Sequence, residues 1–371
     1  MVLNTNVTGN SAEIHTMNLL VIQTAFIGDV VLTTPLAQAA KERLGARVTV
    51  VVRPSTADLL RDHPAVDAVV VFDKNGAERG VGGLLALGRR LRAERFDAAL
   101  IPHRSLRSAL LAWLARVPMR VGFQTSAGRW LLTHRVPYRA VHEVERNLDL
   151  LQPWGSDTTG FAPGLYPNEQ DDASVVAFLK NAGIEPDQAL IGLAPGSVWA
   201  TKRWLPERFT EVADHLATET GACVILFGAR EDLSLCTEIA RQARKTVVTA
   251  GKLSLLQSAT LARRCDFLIS NDTGMAHIAA AMGTPVVGLF GPTVPAFGFA
   301  PYGTDHQIVE RPLACRPCGR HGGVRCPLGT HACMREITVE QVLDAANHLA
   351  GTHRNASPPA PNPSPSHRMN R

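Results

Sequence analysis

The chain has 371 residues, 45% hydrophobic and 19% charged, the composition of a soluble globular protein long enough for about two domains with a full core each. Its formal net charge of +5 comes mostly from arginine, which suits bidentate binding of phosphates and carboxylates, so an acidic substrate is expected. Nucleic acid is set aside as a partner: only 5% of residues are aromatic, and no helix-turn-helix, RNP or zinc-finger spacing occurs.

Residues 1–16 are polar and lack the basic start and apolar core of a signal peptide, and Met17 is a candidate translation start, so a cytoplasmic protein is expected. From Leu19 the chain alternates strand and helix: strand 19–23, helix 29–44, strand 48–52, helix 57–62, strand 68–72, helix 84–95 and strand 98–102. This alternation predicts a parallel, doubly wound sheet. An apolar helix with basic ends follows over 107–116, read as packing on the core rather than docking on a membrane, and then a short strand at 120–123. The longest apolar run, 109–115, is far below the ~20 residues that span a bilayer, so membrane contact is expected to be peripheral.

A segment rich in Pro, Gly and Asp over 153–167 reads as the linker between an N-terminal domain, 17–160, and a C-terminal domain, 161–350. The second series predicts helix 171–182, strand 189–194, helix 206–220, strand 223–227, helix 233–243, strand 247–248, helix 255–263, strand 266–269 and strand 286–290. A final helix covers 338–349. Residues 351–371 form a tail, proline-dominated over 357–366, for which disorder is expected. The fold class is therefore α/β, with two Rossmann-like domains facing across a cleft.

The most informative segment is 270–293. The apolar run Phe267-Leu268-Ile269 leads into Asp272-Thr273-Gly274, an Ala-rich helix that stops near Gly283, and another strand. Unpaired amides and the positive pole at that helix's amino end suit a diphosphate, with Asp272, Thr273 and His277 within one turn of it. Two further loops should converge on the same sheet edge. One, 194–206, offers Ser197, Lys202 and Arg203, and either cation can neutralise a leaving phosphate. The other, 227–232, places Glu231 either on a ribose diol or at a helix cap. Neither domain's first strand is followed by G-x-G-x-x-G, and no Walker A occurs, which argues against a dehydrogenase or a P-loop enzyme and for a nucleotide-sugar glycosyltransferase.

The first domain carries Gln23-Thr24-Ala25-Phe26-Ile27-Gly28-Asp29, a strand, a Gly turn and a carboxylate. With His63-Pro64-Ala65-Val66-Asp67, Arg120-Val121-Gly122-Phe123, the 142–151 segment, Lys202-Arg203-Trp204 and Asp272-Thr273-Gly274-Met275-Ala276-His277, it resembles the lipopolysaccharide heptosyltransferases, glycosyltransferase family 9, over about 19–349. The resemblance implies a GT-B type fold and inverting transfer of L-glycero-D-manno-heptose from ADP-heptose to the inner core, most like addition of the second heptose, by a peripheral protein at the inner face of the inner membrane. It implies Asp29 as catalytic base and Lys202 as the cation near the donor phosphates. Ser197, Glu231, Asp272, Thr273, Gly274, Met275 and His277 complete the donor site. Asp29 as a mere helix cap is the competing reading. For the Kdo carboxylates and lipid A phosphates of the acceptor, the candidates are Arg53, Arg61, Arg120 and Arg146, with Arg104 and Arg107 beside them. A nucleotide-sugar 2-epimerase and a non-catalytic nucleotide-sugar sensor are the rival functions.

No Asp-x-Asp pair is placed for a catalytic divalent metal, so no cofactor is expected and Mg2+ is at most stimulatory. Cys223, Cys236 and Cys265 read as core residues. Cys315, Cys318, Cys326 and Cys333 lie in a Gly- and Arg-rich loop over the donor side, and reduced thiols are preferred there to a structural zinc.

Overall fold

The computed structural model describes residues 16–354, so residues 1–15 of the N-terminal extension and 355–371 of the proline-rich tail lie outside the described residues, while 351–354, expected in the tail, continue the last helix. Two six-stranded, all-parallel sheets share one topology. The first, ordered β3-β2-β1-β4-β5-β6, is built from Asn18–Ile22, Arg47–Val52, Ala68–Val71, Ala98–Ile101, Met119–Phe123 and His134–Val136 as β1 to β6. The second, ordered β12-β11-β10-β7-β8-β9, uses Leu190–Ala194, Cys223–Leu226, Thr246–Val248, Leu268–Asn271, Val286–Phe290 and His306–Glu310 as β7 to β12. The central strands are buried on both faces, which is why they read as unbroken apolar runs such as Leu19 to Ile22. The outer strands β6 and β12 are shorter on apolar residues and half exposed, and the hydrophobic pattern does not predict them.

In each sheet the order reverses beside the first strand, at β1/β4 and at β7/β10. Crevices form at such switch points, past the carboxyl ends of the strands. The loops after these four strands carry the site.

The helices on the first sheet are α1 (Ile27–Val31), α2 (Thr34–Leu44), α3 (Gly80–Ala93), α4 (Leu106–Leu114) and α5 (Glu143–Leu148). The single helix predicted over 29–44 is two, because Pro35 has no N–H to bond the Val31 carbonyl and instead sits in the first turn of a new helix. The helix predicted at 57–62 is a 3-10 turn, Pro54–Leu60. On the second sheet lie α6 (Glu169–Asn181), α7 (Pro206–Thr220), α8 (Leu233–Gln242), α9 (Leu255–Arg263), α10 (Gly274–Ala281), α11 (Ala332–Arg335) and α12 (Val339–Arg354). Phe161 and Leu165 pack in the first core and α6 in the second, so the chain crosses over between them.

The two halves are joined by packing. Leu256, Ala259, Ile278 and Ala281 of the second half enter the core of the first. Helix α1 meets α10 through two glycines: a Cβ on Gly28 would fall 2.6 Å from His277 Cδ2, and one on Gly274 would fall 2.7 Å from Ile27 Cβ. Asp58 of the first half accepts a 3.0 Å bond from the Leu256 N–H at the start of α9.

Candidate active site

Two cavities open between the halves and share a wall made of Phe26, Asp29, Phe297, Phe299, Arg320 and His321. The smaller, about 120 Å³, lies against the amino end of α10 and is lined by Ser197, Lys202, Asp272, Thr273, Gly274 and His277. Its polar wall is tightly arranged. Lys202 Nζ lies 2.5 Å from Asp272 Oδ2, and the Thr293 hydroxyl donates to the same oxygen at 2.6 Å. Asp272 thus orients Lys202 at the helix terminus, where the first amides of α10 have no intrahelical partners. Ser197 turns its loop by accepting from the Trp199 N–H, while its carbonyl accepts from Arg203 Nε at 2.8 Å. His277 is buried, burial holds its pKa down at about 4, and its Nδ1 has no hydrogen-bond partner among the described residues. It is a neutral imidazole in the cavity wall.

The larger cavity, about 530 Å³, is lined on the first half by the loops after β1 and β4 and by α5. Arg53, Lys74, Arg104, Arg139, Arg146 and Arg320 face it, against the carboxylates Asp29 and Glu143. Three guanidiniums surround one phenol: Arg104, Arg146 and Arg320 lie 4.1, 4.5 and 5.1 Å from the Tyr138 ring centre. Arg146 is spanned by Glu143, 3.2 Å away, and donates to the Phe297 carbonyl at 2.6 Å. Arg104 and Arg320 have no carboxylate partner among the described residues, so the cavity holds uncompensated positive charge. Burial pushes the Glu143 carboxyl up to about 7, against the pull of Arg146.

Asp29 stands where the cavities meet. Its carboxylate accepts from the Phe26 N–H at 3.1 Å, so it does cap α1. Burial raises its pKa above the ordinary 3.8, opposed by that backbone bond, Lys202 and Arg53. A carboxylate made more basic, beside both cavities, is equipped to take a proton.

Other expected residues lie elsewhere. Arg61 is bound to Asp58, Asp62 and Asp171, and Arg120 is spent on the carbonyls of Val117, Pro118 and Leu131, so neither reaches the cleft. Arg107 is exposed and lines neither cavity. Met275 packs into the cores, and Glu231 is exposed and lines neither cavity, while its neighbour Asp232 makes the capping bond to the Ala229 N–H. Tyr138, Glu143, Arg320 and His321 enter the site without any role assigned from sequence. The signal available for the last two was a cation and an imidazole set between glycines, Gly319 and Gly322-Gly323, in the cysteine loop.

That loop lies over the smaller cavity, whose wall includes its Arg320 and His321. Thr201 exchanges bonds with Gly323 at 2.7 and 3.1 Å, His331 Nε2 lies 2.7 Å from the Thr201 carbonyl, and the His321 ring stacks on Trp199 with centres 6.5 Å apart. Gly322 leaves room for Trp199, whose Cβ would be 2.5 Å from an added Cβ. Cys223, Cys236 and Cys265 are buried in the second half, as their apolar surroundings predict. Cys318, Cys326, Cys333 and His331 line a cavity of about 100 Å³, yet among the described residues no three His, Cys, Asp or Glu side chains converge to hold a metal ion.

The family described as glycosyltransferase family 9 (heptosyltransferase) matches residues 84–325. Lipopolysaccharide heptosyltransferase 2 of Escherichia coli K12 is 28% identical over 347 residues, covering 90% of this chain and 98% of the relative. A glycosyl transferase family 9 structure from Veillonella parvula superposes with a TM-score of 0.79 at 27% identity, covering 91% of this chain and 97% of that one. The ADP-heptose lps heptosyltransferase II structure of E. coli follows at 0.74 and 25%, covering 91% and 100%. With two like-ordered parallel sheets, a helix terminus against one cavity and a basic carboxylate at the junction with the other, the chain is a GT-B type glycosyltransferase and belongs to glycosyltransferase family 9.

Proposed function

We propose that the enzyme transfers L-glycero-D-manno-heptose from ADP-heptose to the inner core of lipopolysaccharide, with inversion at the anomeric carbon. The observation that carries this is Asp29 between a donor cavity at the amino end of α10 and a larger, cation-lined cavity. The diphosphate lies against Lys202, Thr273 and the α10 amides, and the anionic Kdo and phosphate groups lie among Arg53, Arg104, Arg146 and Arg320. Asp29 removes the proton from the acceptor hydroxyl as that oxygen bonds to the anomeric carbon, and the bond to the departing ADP breaks on the opposite face. Lys202 and the helix dipole offset the charge that develops on ADP.

This reading requires no metal, since Lys202 and α10 supply the positive charge at the leaving group; turnover unaffected by a chelator supports it. A 2-epimerase, working on a single sugar nucleotide, has no use for the second cavity, and a sensor has none for a basic carboxylate at the junction. No helix among the described residues is long and apolar enough to cross a membrane, which agrees with peripheral work at the inner face of the inner membrane. The test is incubation of the purified protein with ADP-heptose and truncated lipopolysaccharide, read by mass spectrometry against other ADP- and UDP-sugars. Addition of one heptose from ADP-heptose is expected; hydrolysis alone, or transfer only from another donor, overturns the proposal.

A further inference from the structure

Residues 79–140 contain twelve arginines, no lysine and two carboxylates, Glu94 and Asp97, a net +10, while the whole chain carries +5. The remainder is therefore net negative, and the positive charge of this protein is concentrated on one part of its first half. That part also carries exposed apolar side chains: Val81, Leu85, Leu106, Trp113 and Trp130 are five of the twelve large hydrophobics exposed among the described residues.

The secondary structure aligns them. On α3, Val81, Leu85, Arg89 and Arg92 follow one another at helical spacing along the outer face, while Leu84, Leu87 and Leu91 face the core. On α4, Leu106 and Trp113 are two turns apart on the outer face, while Ala109, Leu111 and Ala112 are buried. The core-packing reading of this helix therefore accounts for its inner face only. Between the helices runs an open groove of about 520 Å³, lined by Leu85, Arg89, Arg92, Trp113 and Arg116. The turn bearing Trp130 lies flat on α4, since a Cβ on Gly128 would come within 2.6 Å of Ala109 Cβ. The face also borders the active site: Arg104 and Ser105, at the amino end of α4, line the larger cavity.

We propose that this α3/α4 face docks on an anionic lipid surface, with Trp113 and Trp130 among the headgroups and the arginines on the lipid phosphates, so that the larger cavity opens toward the bilayer. Indole rings and arginines belong at a bilayer interface, and charge complementarity selects anionic lipid. The exposed aliphatic residues favour a membrane over RNA, which has no use for Val81 or Leu85. The inference rests on the proposed lipid-borne acceptor, and it is tested without requiring transfer.

The full chain is sedimented with vesicles of phosphatidylglycerol and phosphatidylethanolamine, and with phosphatidylcholine vesicles, at low and high salt. Binding to the anionic vesicles that weakens with salt is expected. Arg89→Ala with Arg116→Ala should lower the partition coefficient about thirtyfold at low salt. Trp113→Ser with Trp130→Ser should also release the protein, and both variants should glycosylate a water-soluble, delipidated acceptor at the wild-type rate. Failure of the wild type to glycosylate that acceptor would count against the function, not against the docking. Absence of wild-type vesicle binding, or equal binding by both variants, overturns the docking. So does a wild-type dimer that both variants make monomeric, which gives the face to a second copy, or a preference for single-stranded RNA over the vesicles.

Discussion

Asp29 experiences opposing influences: burial favours its neutral form, while the Phe26 N–H, Lys202 and Arg53 favour the carboxylate. Its raised pKa makes the rate fall as pH drops through it, because protonation removes the base. Asp29→Asn keeps the shape but not the basicity, so turnover should fall by about 10²–10⁴ with ADP affinity little changed. Steady-state rates paired with calorimetric ADP titration check this, and near-normal turnover refutes the base role. Lys202→Ala removes the cation that Asp272 orients and should cost about 2–4 kcal/mol in ADP-sugar binding or leaving-group departure; unchanged ADP binding and turnover would remove Lys202 from the site. Arg320 adds a cation from the cysteine loop to the Tyr138 cluster. Arg320→Ala should raise the KM for the anionic acceptor about 10–100-fold while ADP binding is kept, and lysine should rescue only part because it lacks the planar fork. An unchanged acceptor KM would place Arg320 outside the acceptor site. Asp29, Lys202 and Asp272 were legible because each follows a strand within a short motif. Tyr138 and Arg320 were not, because they meet across the cleft from loops distant in sequence.

Among the elements, the α1/α10 crossing joins the halves at the reacting groups. Gly28 takes no unusual backbone angle; it is needed because His277 leaves no space for a Cβ. Gly28→Ala should destabilise the fold by about 1–3 kcal/mol, since packed neighbours must shift, and adding His277→Ala should recover part of that loss. Urea unfolding of the two single variants and the double variant measures this, and additive losses would show that the contact does not matter. Periodicity located α7, α9 and β11 at their observed bounds, because each has a complete apolar stripe or run. It missed β6, β12 and α5, whose burial comes from neighbours rather than from their own pattern.

Across the whole molecule, the buried His63 and His277 and the half-buried His103 set the acid limit. Burial lowers His63, His103 and His277 to about 4 from 6.5, so the unfolded chain binds more protons and stability falls as pH drops from 6.5 toward 4. Glu143, raised to about 7, works in the opposite direction: its contribution is complete below 4.5 and lost as pH rises through 7. Asp29, also raised, shares that sign. Burial also lowers His142 and His321, so five histidines stand against two carboxylates; the melting temperature should decline between pH 6.5 and 4, and His63→Gln should flatten the decline. A melting temperature independent of pH over that range would contradict this account of the histidines.

The sequence by itself determined the two parallel sheets, the alternation of elements and the donor-side motif, because buried strands and amphipathic helices record their environment in local spacing. It also determined that Asp29 and Asp272 would each follow a strand; that both strands stand at switch points is read from the strand order of the folded chain. Only the tertiary structure decided that α1 and α10 meet glycine to side chain, that Arg61 and Arg120 are spent on other partners while Arg320 enters the cleft, and that Arg89, Arg92 and Arg116 share a groove with the exposed Trp113. The reason is physical: the partner of a long, flexible cation is whichever anion, carbonyl or ring the folded chain brings within reach, and no local pattern of residues specifies which one that is.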